Sequence, residues 1–385
     1  MTTFFPYADL TWPEVAALPR HTPLVIPLGE GYPLDRLSEA LGDPPSAGLL
    51  PPLPYGWAGS GLPLPPALLG AYLGNLLASL RDDGFSRVYA LTPQGPQGVE
   101  LGLGECRLAL PHASQSQATS ALPSDAYRDK VVLVPIGHTE QHGYHLPLST
   151  DTMIIRAVAD GTARMIPDQA VALPAFPYGV STHRSSFAGT LNAGGRAFED
   201  LWLAAVDVLA ARGFTRFYLL SGHGGNCSFL TNVVKYAGER HRRIFCATAW
   251  LYLSGPAGVS ALQERRRSAI GGMGHAGELE TALILHLHPE LAHMDRVVDE
   301  IDFIATPGYY MDWAEGGALV ANPPWDDDTA TGAYGAGSLA TPENGAYWLD
   351  AAIAEKAAHI AEIHQQHERR EARRRSGYGL WEKEV

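Results

Sequence analysis

Three short stretches of this chain concentrate side chains that bind metal ions: "IGHTEQHGYHLPLSTD" (136–151), "SGHGGN" (221–226) and "GHAGELETALILHLHP" (274–289). In an extended segment Glu140 and His142, two residues apart, project to the same side. Asp151 precedes a helical pattern marked by Ile154, Ile155, Val158 and Ala159. There it serves as a ligand at the helix mouth or as an ordinary N-cap. His223 stands in a turn whose glycines, 222, 224 and 225, let the chain approach another group closely. No Lys or Ser/Thr follows at the spacing of a phosphate-binding loop. His275 and Glu278 share a face if a helix begins there, whereas Glu280 points elsewhere, and both glutamates also suit a helix N-terminus. His286 and His288, inside the apolar run, read as packed or surface histidines. A Glu, His and Asp set without thiolate fits one or two divalent ions of borderline hardness, namely zinc, manganese or iron(II). Asp151 has the carboxylate to bridge two such ions. A pair roughly 3.5 Å apart holds water as hydroxide and polarises a carbonyl.

These residues need a frame, and the apolar runs supply it. Residues 131–135 and 216–221 read as strands buried on both faces, and helices between such strands imply a largely parallel sheet. Between them, Phe198, Leu201, Trp202, Ala205, Val208 and Leu209 recur at helical spacing over 196–211. Ligands of an open parallel sheet bind beyond the carboxyl ends of its strands, where the first two candidate stretches begin.

The frame is written twice. "PLVIPLG" (23–29) answers "VVLVPIG" (131–137), "PPLPYGWAGSG" (51–61) answers "PAFPYGVSTHR" (174–184), and "GFSRVYAL" (84–91) answers "GFTRFYLL" (213–220). Each copy carries an amphipathic stretch before its last landmark, 66–80 in the first. The polar segment 112–125 suits a linker, so the expected division is 1–118 and 119–385, with the boundary near Ala118.

Bulk properties bound the function. The chain of 385 residues is 46% hydrophobic, enough for one large or two moderate domains, and its formal net charge of −13 disfavours nucleic acid and anionic membranes as partners. A small-molecule substrate fits better. The three cysteines show no CxxC spacing, and no signal segment or long uncharged apolar run is legible. A reducing cytoplasm is the expected location. The charged pattern of "HQQHERREARRR" reads as a solvated helix face.

Taken together, "PIGHTEQHGYHLPLSTD", "SGHGGN" and "GHAGELET" resemble the creatininase (creatinine amidohydrolase) family, and the likeness extends over most of 127–364, including "GAYGAGSLATPENG". The resemblance implies an α/β fold with a mostly parallel sheet flanked by helices, a homo-oligomer, two divalent ions per chain and hydrolysis of cyclic amides or related C–N bonds. By motif position Glu140 and His223 look like ligands of one metal, His142 like a ligand of the other and Asp151 like the bridge. His275 looks like the catalytic histidine beside the leaving group, and Glu280 matches a family glutamate counted here with the catalytic set. Asn226 is expected to bind substrate, and His183 reads either as a pocket-lining substrate contact or as an exposed loop histidine. Creatininase has Tyr-Glu where this chain has Gly224-Gly225, which removes a second-metal ligand and a substrate-contacting tyrosine. Glu278, standing where creatininase has an apolar residue, is expected to replace that ligand.

The start, "DLTWPEVAALPRHTPLVIPLG", also resembles the family's N-terminal segment. The first unit therefore reads as a shortened, degenerate copy: "EGYPLD" is too short for the Glu-x-His loop, and Gln94 falls where the second copy has His223. Such a unit either imitates a neighbouring subunit or is a structural appendage. Three functions are carried forward. They are a metal-dependent amidohydrolase opening a cyclic amide or imide, the same centre cleaving a C–C, formamide or peptide bond, and a non-catalytic scaffold.

Overall fold

A computed structural model describes residues 1–94, 101–111, 120–182, 186–314 and 316–377. The expected boundary near Ala118 and the candidate His183 lie outside these residues. In the first unit β1 (Thr3–Pro6), β2 (Leu24–Pro27), β3 (Ser46–Leu49), β4 (Val88–Pro93) and β5 (Arg107–Leu110) pair in parallel in the order β1-β3-β2-β4-β5. In the second, β6 (Val131–Ile136), β7 (Ala170–Ala172), β8 (Arg216–Ser221) and β9 (Phe245–Thr248) form a parallel sheet in the order β7-β6-β8-β9.

The helices that cover these sheets follow the amphipathic stretches. The first unit carries α1 (Trp12–Ala17), α2 (Leu34–Ala40) and α3 (Pro66–Asp82). The second carries α4 (Thr150–Met165), α5 (Gly195–Ala211), α6 (Gly224–Arg240), α7 (Pro256–Arg265), α8 (Glu278–Leu287) and α9 (Pro342–Arg375). Alternation along β6 divides the core: Val132, Val134 and Ile136 face one cluster, Val131 and Leu133 the other. The second cluster lies under α4, α8 and α9, with Ile155, Leu279 and Trp348 fully buried.

The two sheets agree in detail. Leu24 pairs with Val88 as Val132 pairs with Phe217, and the bridge of Leu28 to Leu53 corresponds to that of Ile136 to Phe176. Helices α3 and α5 end in the same turn. Gly84 and Gly213 both have φ 93°, and Phe85 and Phe214 donate back to the carbonyls of Leu80 and Leu209. A positive φ after a helix favours glycine, which explains why each repeated octapeptide begins with one.

One core joins the units. Tyr55, Tyr72, Phe176 and Trp202 pack together, with ring centroids 5.4 Å apart for Tyr55–Phe176 and 5.0 Å for Phe176–Trp202. Tyr72 Oη donates to Tyr178 O at 2.8 Å, and Tyr178 Oη donates to Pro51 O at 2.5 Å.

Candidate metal centre

Neighbouring strands β6 and β8 bring the first two candidate stretches together, because Ile136 lies opposite Ser221 and both loops leave from the same end of the sheet. Helix α4 starts against them. A Cβ on Gly222 would lie 2.4 Å from Asp151 O, so only glycine admits that approach. The first unit pins the loop from the other side: Leu148 and Ser149 donate their N–H groups to Leu10 O and Ala8 O, each at 3.0 Å.

Asp151 is not the N-cap. Ser149 occupies that position, and Asp151 lies inside the first turn of α4 with its carboxylate turned inward. Its Oδ1 is 3.2 Å from His142 Nε2 and its Oδ2 3.3 Å from His223 Nδ1, so the two oxygens face different histidines. Glu140 Oε1 lies 3.0 Å from His223 Nδ1. All of these groups are buried.

The outward hydrogen bonds of three histidines decide what they present inward. His142 Nδ1 donates to Glu140 O at 3.1 Å, His223 Nε2 to Val180 O at 2.9 Å and His275 Nε2 to Gln141 O at 2.7 Å. A carbonyl only accepts, so in each neutral ring the other nitrogen keeps its lone pair. His142 Nε2, His223 Nδ1 and His275 Nδ1 therefore converge on the carboxylates of Glu140, Asp151 and Glu280. Metal-ligating imidazoles are held in this way.

Glu280 reaches this cluster and Glu278 does not, which corrects the expected second ligand. Helix α8 starts at Glu278, after Ala276 at φ 51°, so His275 lies before the helix and does not share a face with Glu278. Glu278 instead accepts the N–H groups of Arg267 and Ser268 at 3.0 and 2.8 Å. Glu280 Oε2 accepts Ala276 N–H at 2.6 Å and lies 3.9 Å from both His142 Nε2 and His275 Nδ1. A second correction concerns Asn226. Its Oδ1 accepts Val180 N–H at 2.9 Å and its Nδ2 donates to Gly137 O at 3.2 Å, so the structure places this fully buried amide as a tie of two loops to α6.

Burying several carboxylates together is unfavourable without cations. Whenever no ion is bound, histidine protons take that role. Burial alone pulls the His223 imidazole down, but Glu140 and Asp151 outweigh it and push the pKa up to about 9. His142 is raised in the same manner by Asp151, Glu280 and Glu140. Asp151 is lowered, since His142 and His223 overcome its burial. Below pH 9 a metal ion must therefore displace the His223 proton. Metal uptake by the ion-free protein is expected to release protons, and apparent affinity to rise about tenfold per pH unit for each proton displaced. Calorimetry in buffers of different ionisation enthalpy measures that release; uptake without it, or affinity falling from pH 6 to 8, contradicts the assignment.

The creatinine amidohydrolase family model matches residues 116–360, more than half of the chain. The chain belongs to the creatininase family. Among its curated relatives, a mycofactocin precursor peptide peptidase of Mycobacterium tuberculosis is 35% identical over 192 residues, 48% of this chain and 66% of the relative. A creatinine amidohydrolase of Pseudomonas putida is 29% identical over 187 residues, 44% of this chain and 69% of the relative. The chain thus spans about two thirds of the length of these relatives. A solved creatininase in a manganese form is similar with a TM-score of 0.51 and 26% identity, covering 62% of this chain and 92% of that one. A mutant creatininase of zinc–zinc type gives the same values. These zinc–zinc and manganese forms agree with the His, Glu and Asp groups assembled here, which suit binding of two metal ions.

The Gly224-Gly225 turn, read from the sequence as a departure from creatininase itself, has a physical correlate in the structure. A Cβ on Gly225 would lie 2.3 Å from Val180 O and 2.4 Å from His223 Nε2, inside the hydrogen bond that orients His223. No side chain fits there with this backbone.

Sequence reasoning missed two features. His138 joins Glu140 and His223 in one potential metal group. Its signal was available, because 138, 140 and 142 alternate to one side of an extended segment. The other is an aromatic wall. The Trp12 ring of α1 has its centroid 5.4 Å from that of Tyr144 and 5.3 Å from that of Phe187, and the Trp325 and His275 rings stand nearly perpendicular with centroids 5.9 Å apart. A groove of about 600 Å³ opens beside Trp12, Glu14, Tyr144 and Arg296. These residues are scattered from position 12 to 325, so no local pattern announces them.

Proposed function

We propose that this chain is a metal-dependent amidohydrolase that opens the C–N bond of a cyclic amide, imide or related small polar substrate. The observation that carries the reading is the convergence of His142 Nε2, His223 Nδ1 and His275 Nδ1 on three buried carboxylates. Glu140, Asp151 and His223 would hold one ion, and His142, Asp151 and Glu280 the other. Zinc, manganese or iron(II) there supplies Lewis acidity and makes water acidic enough to attack at neutral pH.

His275 moves the proton. Its Nε2–H is engaged by Gln141 O, and Nδ1 stands 3.7 Å from Glu140 Oε1 and 3.9 Å from Glu280 Oε2, farther than the ligand nitrogens of His142 and His223 are from Asp151. As the water oxygen bonds to the carbonyl carbon, Nδ1 takes the water proton. It returns that proton to the leaving nitrogen as the C–N bond breaks. Both carboxylates stabilise the intervening imidazolium.

A second reading, cleavage of a peptide bond, is favoured by the identity to the peptidase relatives and by the aromatic groove beside Tyr144. Metal analysis of protein purified without chelator is expected to find close to two ions per chain. Glu280→Gln should lose about one of them, and Glu278→Gln should keep both while losing stability. Hydantoin-type imides and short peptides then separate the two substrates. Absence of any ion, with none taken up, would leave the scaffold reading standing.

The first unit belongs to the same proposal as a shortened duplicate of the second. Matching strand register and helix-end turns support it, as does Gln94 at the carboxyl end of β4, where His223 follows β8. It covers the apolar face around Trp202 as a neighbouring copy would, and through Trp12 it shapes the groove. Homo-oligomeric assembly is a further part of this reading, and light scattering tests it.

A further inference from the structure

Four histidines surround the carboxylate cluster, and one is hydrogen-bonded in the opposite sense. His138 Nδ1 accepts the Gly179 N–H at 2.9 Å. The lone pair is thereby engaged, and the neutral ring must carry its proton on Nε2. That N–H faces Glu140 Oε2 at 3.9 Å. It is longer than a hydrogen bond yet well within charge–dipole reach. A nitrogen bearing a proton has no lone pair for a metal, so His138 does not act as the ligand that proximity alone would make it.

We propose that His138 is a positioning residue that holds the outer oxygen of Glu140, leaving only the inner oxygen for the metal. Glu140 is divided in that way: Oε1 lies toward His223 Nδ1, at 3.0 Å, and Oε2 toward His138. The imidazole is fixed from three sides. Its ring lies over that of His223, with centroids 4.5 Å apart and planes at 32°. Its backbone carbonyl accepts Thr152 Oγ1 at 3.1 Å, and Gly179 is packed against Asn226, whose Oδ1 would stand 2.3 Å from a Cβ there. The buried Asn226 clamp thus holds the donor that sets the His138 tautomer. Outer partners of this kind orient carboxylate ligands and typically change metal affinity by about 10–100-fold when removed.

This inference rests on the binuclear reading, and its test separates the two. Metal affinity is measured by competition with a chromophoric chelator for zinc and for manganese. The proteins compared are wild type, His138→Gln and His138→Met, with circular dichroism confirming the fold. Gln and Met have similar length and volume, but only Gln carries a terminal N–H donor. The expected result is two ions in wild type, one of the two affinities reduced about 10–100-fold in His138→Met, and near-complete rescue in His138→Gln. Should His138→Met fail to fold, His138→Phe replaces it as the donor-free ring. Two wild-type sites with both affinities unchanged in the donor-free variant, or His138→Gln as weak as that variant, overturns the inference alone. No metal in wild type overturns the binuclear reading and this inference with it.

Discussion

Asp151→Ala is expected to leave fewer than one divalent ion per chain. Hydrolysis should fall by more than the roughly 10²–10³-fold cost of removing one oxyanion-stabilising group. The reason is its geometry: one carboxylate faces His142 through Oδ1 and His223 through Oδ2, so each ion loses a ligand at once. The fold should survive. Ser149 remains the N-cap of α4, and removing one buried anion relieves its repulsion with Glu140. Elemental analysis alongside a thermal melt checks both halves of this expectation. A folded Asp151→Ala protein with two ions would mean that Asp151 bridges nothing.

Removing residues 1–119 is expected to yield a chain that aggregates or self-associates and binds metal weakly. The truncation uncovers Phe176, Tyr178 and Trp202, all fully buried against the first unit. Each such side chain is stabilised by about 1.5–3 kcal/mol of burial. It also removes Leu10 O and Ala8 O, the acceptors that hold residues 148 and 149 between His142 and Asp151. Size-exclusion chromatography with light scattering, followed by metal analysis, measures the outcome. A soluble monomer of 120–385 with two tightly held ions would make the first unit a mere appendage.

Much of the frame was legible because it depends on local pattern. Residues 131–135 and 216–221 read as buried parallel strands, and the structure has strands at Val131–Ile136 and Arg216–Ser221. The helical spacing over 196–211 corresponds to Gly195–Ala211. The repeated octapeptides were visible in the sequence, and the structure places the glycine that begins each at φ 93°. Ligand types also follow from sequence, since a carboxylate and imidazole set without thiolate limits the metal whatever the fold.

The assignment of individual side chains was harder to read. Glu278 and Glu280 differ by two positions in one helix, and spacing favoured Glu278. Where each carboxylate lies was decided by the left-handed turn at Ala276 and by N–H donors at Arg267 and Ser268. Asn226 reads as a substrate contact in the sequence, and only the structure shows Val180 and Gly137 each bonded to one end of its amide.

The amino-acid sequence by itself determined the strand and helix periods, the repeated frame and the chemistry of the donor set, because each depends on residue type and near-neighbour spacing. Only the tertiary structure decided which nitrogen of each histidine faces the centre and which glutamate reaches it. Those choices depend on single carbonyl and N–H partners from distant loops: Val180 for His223, Gln141 for His275 and Gly179 for His138. A hydrogen bond fixes a tautomer only when its partner is in place, and no interval along the chain encodes where that partner will stand.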